Sequence, residues 1–407
     1  MLATDLMVAV ALTLALLGAI LMLAAVYLLL LAVAALWYQP SAGVPRGRPR
    51  LAVVVPAHNE VDFIVRCIEA LQRQSYPREA YDIVVIADNC TDRTAALAEQ
   101  AGARVLVRDD TAAHGKGRAL RWAFDQLIVG PSPVDALVVV DADSVADPGL
   151  LSGLASEFER GADAVQADYQ VLEDQGSPGS QLRSAAFLLF HRARFSGRAV
   201  LGLPCSLVGN GMLFSRSLLE AHGWNAFSGA EDLEYTIELR LSGISPVFAG
   251  TALVRGPVLS SGRAAEVQRQ RWEGGRLRIA RSRLPLLLAT IARERRLSLV
   301  DAAVDLALPP LGVLAGAAAA GLIVSGVLAL AGVVASWAVI PWSFAVLGLA
   351  GYVVVGLVAA GATKSVYMSL LSAPRFMVAK AVGTAAVARA SRRDSWVRTE
   401  RPSERGA

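Results

Sequence analysis

Two stretches of this chain, 6–37 and 306–363, carry no charged residue, and between them polar and apolar positions alternate in short blocks. A membrane-crossing helix needs about 20 consecutive apolar residues. The first stretch therefore predicts one span. The second has room for two, with a break near 336–341, where the sequence reads SWAVIP. A cleaved signal peptide is the competing reading of the first stretch, but its apolar core would be only about 7–15 residues long.

Between these stretches, 51–260 reads as strand and helix in alternation. LAVVVPA (51–57), YDIVVIAD (81–88), ARVLVR (103–108) and ALVVVDAD (136–143) are compact apolar runs of strand length. Segments 60–73, 91–102 and 117–127 separate them with helical spacing. Continuous apolar strands joined by helices predict a parallel sheet covered on both faces. Ligands of such sheets bind beyond the carboxyl ends of the strands. Polar residues gather there: His58, Asn59 and Glu60 after the first strand, Asp88 after the second, Asp141 and Asp143 after the fourth.

The domain layout follows. A span lies in 1–40, a soluble domain in 41–275 and two spans in 306–363. The stretch 276–305 places Leu277, Ala280, Leu284, Leu287 and Ile291 at helical spacing against Arg278, Arg281 and Arg283, with Pro285 able to break the helix. A basic amphipathic segment beside a span predicts an interfacial helix. Residues 364–390 suggest another, since Arg375 and Lys380 oppose a fourth span, and 391–407 reads as a solvated basic tail.

Composition agrees: 54% of the 407 residues are hydrophobic, too many for one soluble domain. Charge adds direction. Arg46, Arg48 and Arg50 follow the first span, Lys364 follows the third, and Arg389, Arg392, Arg393 and Arg398 fill the tail. Positive flanks favour the cytoplasmic side. The expected topology has the N-terminus outside, with 38–305 and the tail inside, in a bacterial inner or plasma membrane. The three cysteines, Cys67, Cys90 and Cys205, form no CxxC pair and suit a reducing compartment.

Candidate chemistry sits at the strand ends. In an extended segment Asp141 and Asp143 share one face. Such a pair calls for a cation, and Mg²⁺ is commonly held by one or two carboxylates plus substrate phosphates. The bland reading is a polar strand end. His114-Gly115-Lys116-Gly117-Arg118 opens a helix, a setting that favours phosphate, or is simply a solvated basic loop. Glu231, Asp232 and Glu234 lie in a first helical turn, where carboxylates suit the dipole. The preceding LPCSLVGNGMLFS (203–215) lacks charge, and such a wall beside a carboxylate suits a general base.

In order, PAHNE, DNCTD, GKG, DAD, a lone ED and QRQRW (268–272) resemble family 2 glycosyltransferases, more narrowly the membrane-integrated cellulose, chitin and hyaluronan synthases and exopolysaccharide enzymes. The resemblance covers about 50–275 and implies a GT-A catalytic domain with flanking membrane helices. It also implies roles. Glu60 and Asp88 would hold the uracil and ribose of a nucleotide sugar, and Lys116 would lie near the nucleotide. Asp141 would meet the nucleotide sugar, and Asp143 would bind Mg²⁺ or Mn²⁺. Asp232 would be the general base, while Gln268, Arg271 and Trp272 would close over diphosphate and acceptor. One base without an enzymic nucleophile implies inversion. The implied partners are a nucleotide-sugar donor, UDP-linked by family preference, a lipid-linked or growing glycan acceptor and membrane lipids, with no nucleic acid.

Departures narrow this. Ala230-Glu231-Asp232 stands where the family's motif reads Thr-Glu-Asp, and Ala87-Asp88 where many relatives carry two aspartates. Arg255-Gly256-Pro257 replaces an acid-then-Pro pattern. Three spans make a thin set for a polymer channel, so transfer of one sugar to a lipid-linked acceptor is favoured over a processive synthase. A sugar-phosphate nucleotidyltransferase is the rival from another class. It would place its glycine-rich basic loop directly after the first strand and needs no QxxRW.

Overall fold

The structure, a computed structural model, describes residues 2–40, 45, 47–130, 134–172, 178–257 and 262–373. In chain order α1 (Leu2–Ala35) comes first. Then follow β1 (Leu51–Ala57), α2 (Ile64–Gln72), β2 (Tyr81–Asp88), α3 (Thr94–Gln100), β3 (Arg104–Arg108) and α4 (Lys116–Val129). Next are β4 (Ala136–Val139), β5 (Val145–Ala146), α5 (Leu150–Glu159), β6 (Ala164–Val171) and α6 (Pro178–Phe187). A π-helical turn (Leu188–Ala193) leads from α6 into α7 (Arg194–Val200). After it come β7 (Met212–Ser215), α8 (Arg216–His222), α9 (Glu231–Leu241), β8 (Val247–Gly256) and α10 (Gly262–Glu294). The last helices are α11 (Val300–Ala307), α12 (Leu311–Leu330), α13 (Ile340–Ala359) and α14 (Lys364–Ser369).

The described residues fall into two compact units. The larger comprises 39–180 and 202–306. Its sheet runs in the order β3-β2-β1-β4-β7-β6-β8-β5. β1 pairs in parallel with β2 and β4, and β2 with β3, as the continuous apolar runs predict. The sheet as a whole is mixed, because β7 runs antiparallel to both β4 and β6. One expectation needs correcting. The strand expected over 136–143 stops at Val139, opposite Met212 at the start of β7. Beyond that pair Asn210 turns inward, and its side-chain oxygen accepts the Asp141 N–H at 3.1 Å. The chain then closes a turn, Ser144 N–H donating to the Asp141 carbonyl at 3.0 Å. Asp141 and Asp143 thus belong to a turn and not to one face of an extended strand.

Apolar packing sets the helices that carry the site. Phe124 of α4, Phe214 of β7, Trp224 and Tyr235 of α9 are all buried in one cluster with Val54, Ile86 and Leu137. Ring centroids lie 5.8 Å apart for Phe124–Trp224, 5.6 Å for Phe214–Trp224 and 4.4 Å for Trp224–Tyr235. Burying one such side chain is worth about 1.5–3 kcal/mol. The cluster therefore fixes α9, three residues past Asp232, against α4, whose first residue is Lys116.

The helix α10 runs through Pro285. Of the apolar set that the sequence assigns to a membrane interface, Ala280, Leu284, Leu287 and Ile291 pack with Leu233 and Ile237 of α9. Leu286 and Leu288 stay exposed. The helix expected over 364–390 is described only as far as 373, and the tail 391–407 lies outside the described residues.

The smaller unit comprises 2–38, 181–201 and 307–373. Thr4–Ala35, Leu311–Leu330 and Ser336–Ala359 are long and apolar enough to cross a membrane, one N-terminal and two C-terminal, as expected. Their shared core includes Ala25, Leu28, Ala32, Leu314, Leu349 and Tyr352. The stretch 181–201 is a second correction: expected within the soluble domain 41–275, it belongs to this smaller unit. It leaves the larger unit between β6 and β7 and joins the membrane helices. A Cβ on Gly197 would sit 2.0 Å from the Leu31 carbonyl oxygen, so only glycine lets α7 approach α1 this closely. The Tyr352 hydroxyl donates to the Leu189 carbonyl at 3.0 Å, and Arg198 donates to the Tyr27 hydroxyl at 2.8 Å.

Candidate active site

Lys116 is the hub of the site. It begins α4, and Gly115 before it adopts φ +116°, a backbone state open to glycine. Its ammonium donates to Asp141 Oδ1 at 2.5 Å and to the Gly209 carbonyl at 2.6 Å, with Glu231 Oε1 at 3.9 Å. Burial pulls the lysine toward neutrality, but Asp141 and Glu231 outweigh it and hold its pKa above the usual lysine value. The ammonium is therefore charged at any working pH.

Asp232 stands on the other side of Gly209. A Cβ on Gly209, which has φ +82°, would lie 3.2 Å from Asp232 Oδ2 and 3.6 Å from Lys116 Nζ. Glycine here lets the backbone pass between acid and base. Burial, and then the neighbouring Glu231 carboxylate, push Asp232 up to about 7, although the Leu233 N–H and Lys116 pull the other way. A carboxylate that gains and loses its proton near neutrality suits a general base. Glu234 serves structure instead, its Oε2 accepting the N–H groups of Phe227 at 3.1 Å and Ser228 at 3.0 Å. That satisfies the loop entering a helix whose cap position, Ala230, offers no side-chain hydrogen bond.

A second group of residues converges from β6. The Tyr169 phenol is buried, and its pKa is raised by that burial and by Asp143 and Asp141, while Arg271 lowers it. All four side chains thus share one electrostatic neighbourhood. Asn210 braces the floor: its amide donates to Ser144 Oγ at 2.8 Å, and its carbonyl accepts from Gln166 at 2.8 Å. Arg66 donates to the Asp143 carbonyl at 3.3 Å, and the Cys67 thiol to that of Asp141 at 3.6 Å. Burial, then Asp143 and Asp141, raise the Cys67 pKa, so it stays a thiol.

The remaining candidates are spread along the sheet edge. Asp88 ends β2, only 7% exposed, with Oδ1 at 2.6 Å from Arg108 Nη1. Burial lifts its carboxyl above the usual range, and Arg108 holds part of that back. The Glu60 N–H donates to Thr94 Oγ1 at 2.8 Å, fixing the loop after β1. Gln268, Arg271 and Trp272 occupy adjacent turns of α10, where Trp272 is 38% exposed. One glycine seats that helix: a Cβ on Gly275 would lie 2.9 Å from Ala230 Cβ. The small residue at 230 and the glycine at 275 together bring α10 against the start of α9. Displacing catalytic groups by about 1 Å can cost about 10²-fold in rate. Gly275→Val is expected to lower kcat on that scale with little change in donor KM. Steady-state kinetics check this, and unchanged kcat contradicts it.

The structure therefore joins Lys116 directly to Asp141 and Glu231, with Asp232 in their electrostatic field, and Asp143 and Arg271 in that of Tyr169. It sets Asp88 apart in its own ion pair. Sequence reasoning missed Tyr169, Asn210, Arg108 and Gly275. Asn210 carried a signal, flanked by two glycines in a charge-free run, whereas Tyr169 and Arg108 looked like ordinary strand residues.

Known proteins give this geometry a family. The profile described as "Glycosyltransferase like family 2" matches residues 49–275. "Probable glycosyltransferase YdaM" of Bacillus subtilis is 26% identical over 238 residues, 56% of this chain and 55% of that protein. "Beta-monoglucosyldiacylglycerol synthase" of Synechocystis sp. is 29% identical over 240 residues, 56% and 48% of the two chains. The chain spans about half the length of these curated relatives. Among solved structures, the mannosyltransferase PcManGT from Pyrobaculum calidifontis, in complex with GDP-Man and Mn2+, matches with a TM-score of 0.54 and 19% identity. The match covers 86% of this chain and 97% of that one and establishes a shared GT-A-like fold. Mixed sheet, flanking membrane helices and a profile match over more than half of the residues lead to one statement: this chain is a member of glycosyltransferase family 2.

Proposed function

We infer that this protein transfers a sugar from a nucleoside diphosphate to a hydroxyl of a membrane-borne lipid or lipid-linked acceptor, with inversion. The observation that carries the reading is Asp232, a base with its pKa near 7, which flanks Gly209 together with Lys116, itself paired with Asp141. Asp232 takes the proton of the acceptor hydroxyl. Lys116 and Arg271 offset charge on the departing diphosphate, an electrostatic task for which a forked guanidinium is well shaped. Glu60 and Asp88 face the nucleoside half, Asp141 the sugar diphosphate, and Gln268 and Trp272 close over the acceptor end.

A divalent metal fits these residues in one way only. Among the described residues, no three His, Cys, Asp or Glu side chains form a group able to hold a metal. Asp143 is a hard oxygen donor, and the nearby Cys67 thiol stays protonated. Such a donor set suits Mg²⁺ or Mn²⁺ when diphosphate oxygens complete it. When bound, the ion supplies further charge neutralisation to the leaving diphosphate.

The acceptor assignment is supported by the three candidate spans and by the glycolipid in the name of the synthase of Synechocystis sp.. Arg48 and Arg50 after α1, and Lys364 after α13, favour the topology with the N-terminus outside and the larger unit in the cytoplasm.

The test is direct. Detergent-solubilised protein with Mn²⁺ is offered UDP- and GDP-sugars, with diacylglycerol or polyprenyl phosphate as acceptor. Release of nucleoside diphosphate coupled to a glycolipid product, abolished by a chelator, is expected. Pyrophosphate exchange would instead identify a nucleotidyltransferase.

A further inference from the structure

Arg108 ends β3 and has no part in the chemistry above, yet its guanidinium is only 7% exposed. Nη1 donates to Asp88 Oδ1 at 2.6 Å. Nη2 donates to Asp110 Oδ2 at 2.8 Å and to the Ala113 carbonyl at 2.7 Å. Asn89, held at φ +50°, stitches the same two loops. Its N–H donates to the Arg108 carbonyl at 2.8 Å, and its side-chain amide donates to Asp88 Oδ1 at 3.0 Å and the Asp110 carbonyl at 3.2 Å. Its side-chain oxygen accepts the Asp110 N–H at 2.8 Å. Asp110 Oδ1 accepts the Ala113 N–H at 3.1 Å, three residues before Lys116.

The loops after β2 and β3 therefore form one hydrogen-bonded body, with a forked cation at its centre. The geometry points to Arg108 as a positioning residue that fixes the spacing between Asp88 and the Lys116 loop, and so between the nucleoside and diphosphate ends of the donor site. This rests on the donor-site reading proposed above. Arginine is required because three acceptors lie around one planar group. The point charge of lysine reaches one of them at a time.

The test compares wild type, Arg108→Ala and Arg108→Lys by calorimetric titration with UDP or GDP in the presence of Mn²⁺. Arg108→Ala should bind the nucleoside diphosphate at least about tenfold more weakly, a difference in binding free energy of about 1.4 kcal/mol. Guanidinium chloride at low, non-denaturing concentration should restore much of the affinity, and ammonium chloride at equal ionic strength should not. Arg108→Lys should be intermediate and unresponsive to guanidinium. A loss of affinity through general loosening of the fold would not be repaired by guanidinium, so an unrepaired loss overturns the assignment, as does wild-type affinity in Arg108→Ala. If the alanine variant does not fold, wild-type affinity in Arg108→Lys overturns it alone. Wild-type protein that binds neither nucleotide overturns the donor-site reading itself, before any variant is compared.

Discussion

Asp232→Asn is expected to bind donor as wild type does and to transfer almost nothing, with kcat lower by about 10²–10⁴-fold, the usual contribution of a positioned base. The amide keeps the size of the side chain and the hydrogen bond from Leu233 N–H, made at 2.8 Å in the wild type. It cannot accept the acceptor's proton. Two pH signatures accompany this. In wild type the base must be ionised, so kcat/KM should rise with pH through about 7, where burial and Glu231 have pushed the carboxyl. Stability should move the other way. Between the ordinary carboxylate range and about 7, folded Asp232 binds more protons than the unfolded chain does, so its contribution falls as pH rises. Asp232→Asn removes that loss. It should melt above wild type at pH 8 and closer to it at pH 5, exchanging activity for stability. Turnover near the wild-type rate would remove Asp232 from the role of base.

Lys116→Met should produce the second-largest effect. It leaves Asp141, Glu231 and Asp232 without the ammonium that now lies 2.5 Å from the first and 3.9 Å from the second. A hydrogen bond to a charged group is worth about 1.5–3 kcal/mol. The lysine side chain is 21% exposed and that of Asp141 32%, so solvent screening favours the lower figure. A lower melting temperature is expected. With its cation gone, Asp232 should hold its proton more tightly, moving the rise of kcat/KM to higher pH. Transfer at pH 7 should fall at least tenfold, since about 1.4 kcal/mol of lost transition-state stabilisation is enough for that. A pH profile that keeps its wild-type midpoint would show that Lys116 does not act on Asp232.

Legibility in the sequence followed the range of the interactions. β1 and β2 could be bounded to the residue, because a run such as LAVVVPA is buried on both faces of a parallel sheet and needs no partner to be recognised. The three spans were equally plain, since absence of charge over 20 residues or more is a local property. The end of β4 was not. It depends on Asn210, some seventy residues onward, taking the N–H of Asp141. The apolar stripe of α10 was visible too, but its destination was not: Leu287 and Ile291 meet α9, and periodicity alone does not distinguish a protein neighbour from lipid. The acidic points of the site could be read in order. Their pairing could not, because Lys116 reaches Asp141 and Gly209 only after the aromatic cluster has aligned α4 with α9.

The excursion through 181–201 has a consequence for the order in which the protein is made. β6 and β7 are neighbours in the sheet, Gln166 opposite Met212, and yet the polypeptide between them visits the membrane helices. On the ribosome α1 comes first and α12 begins at Leu311, so Ala185 and Leu189 emerge long before much of the core that covers them. Until α13 has been made, the nascent chain holds this apolar helical segment without residues that bury it, a state open to aggregation and proteolysis. A truncation after Leu306 would hold the chain at that stage. The last two apolar helices thus complete the core that covers Ala185 and Leu189.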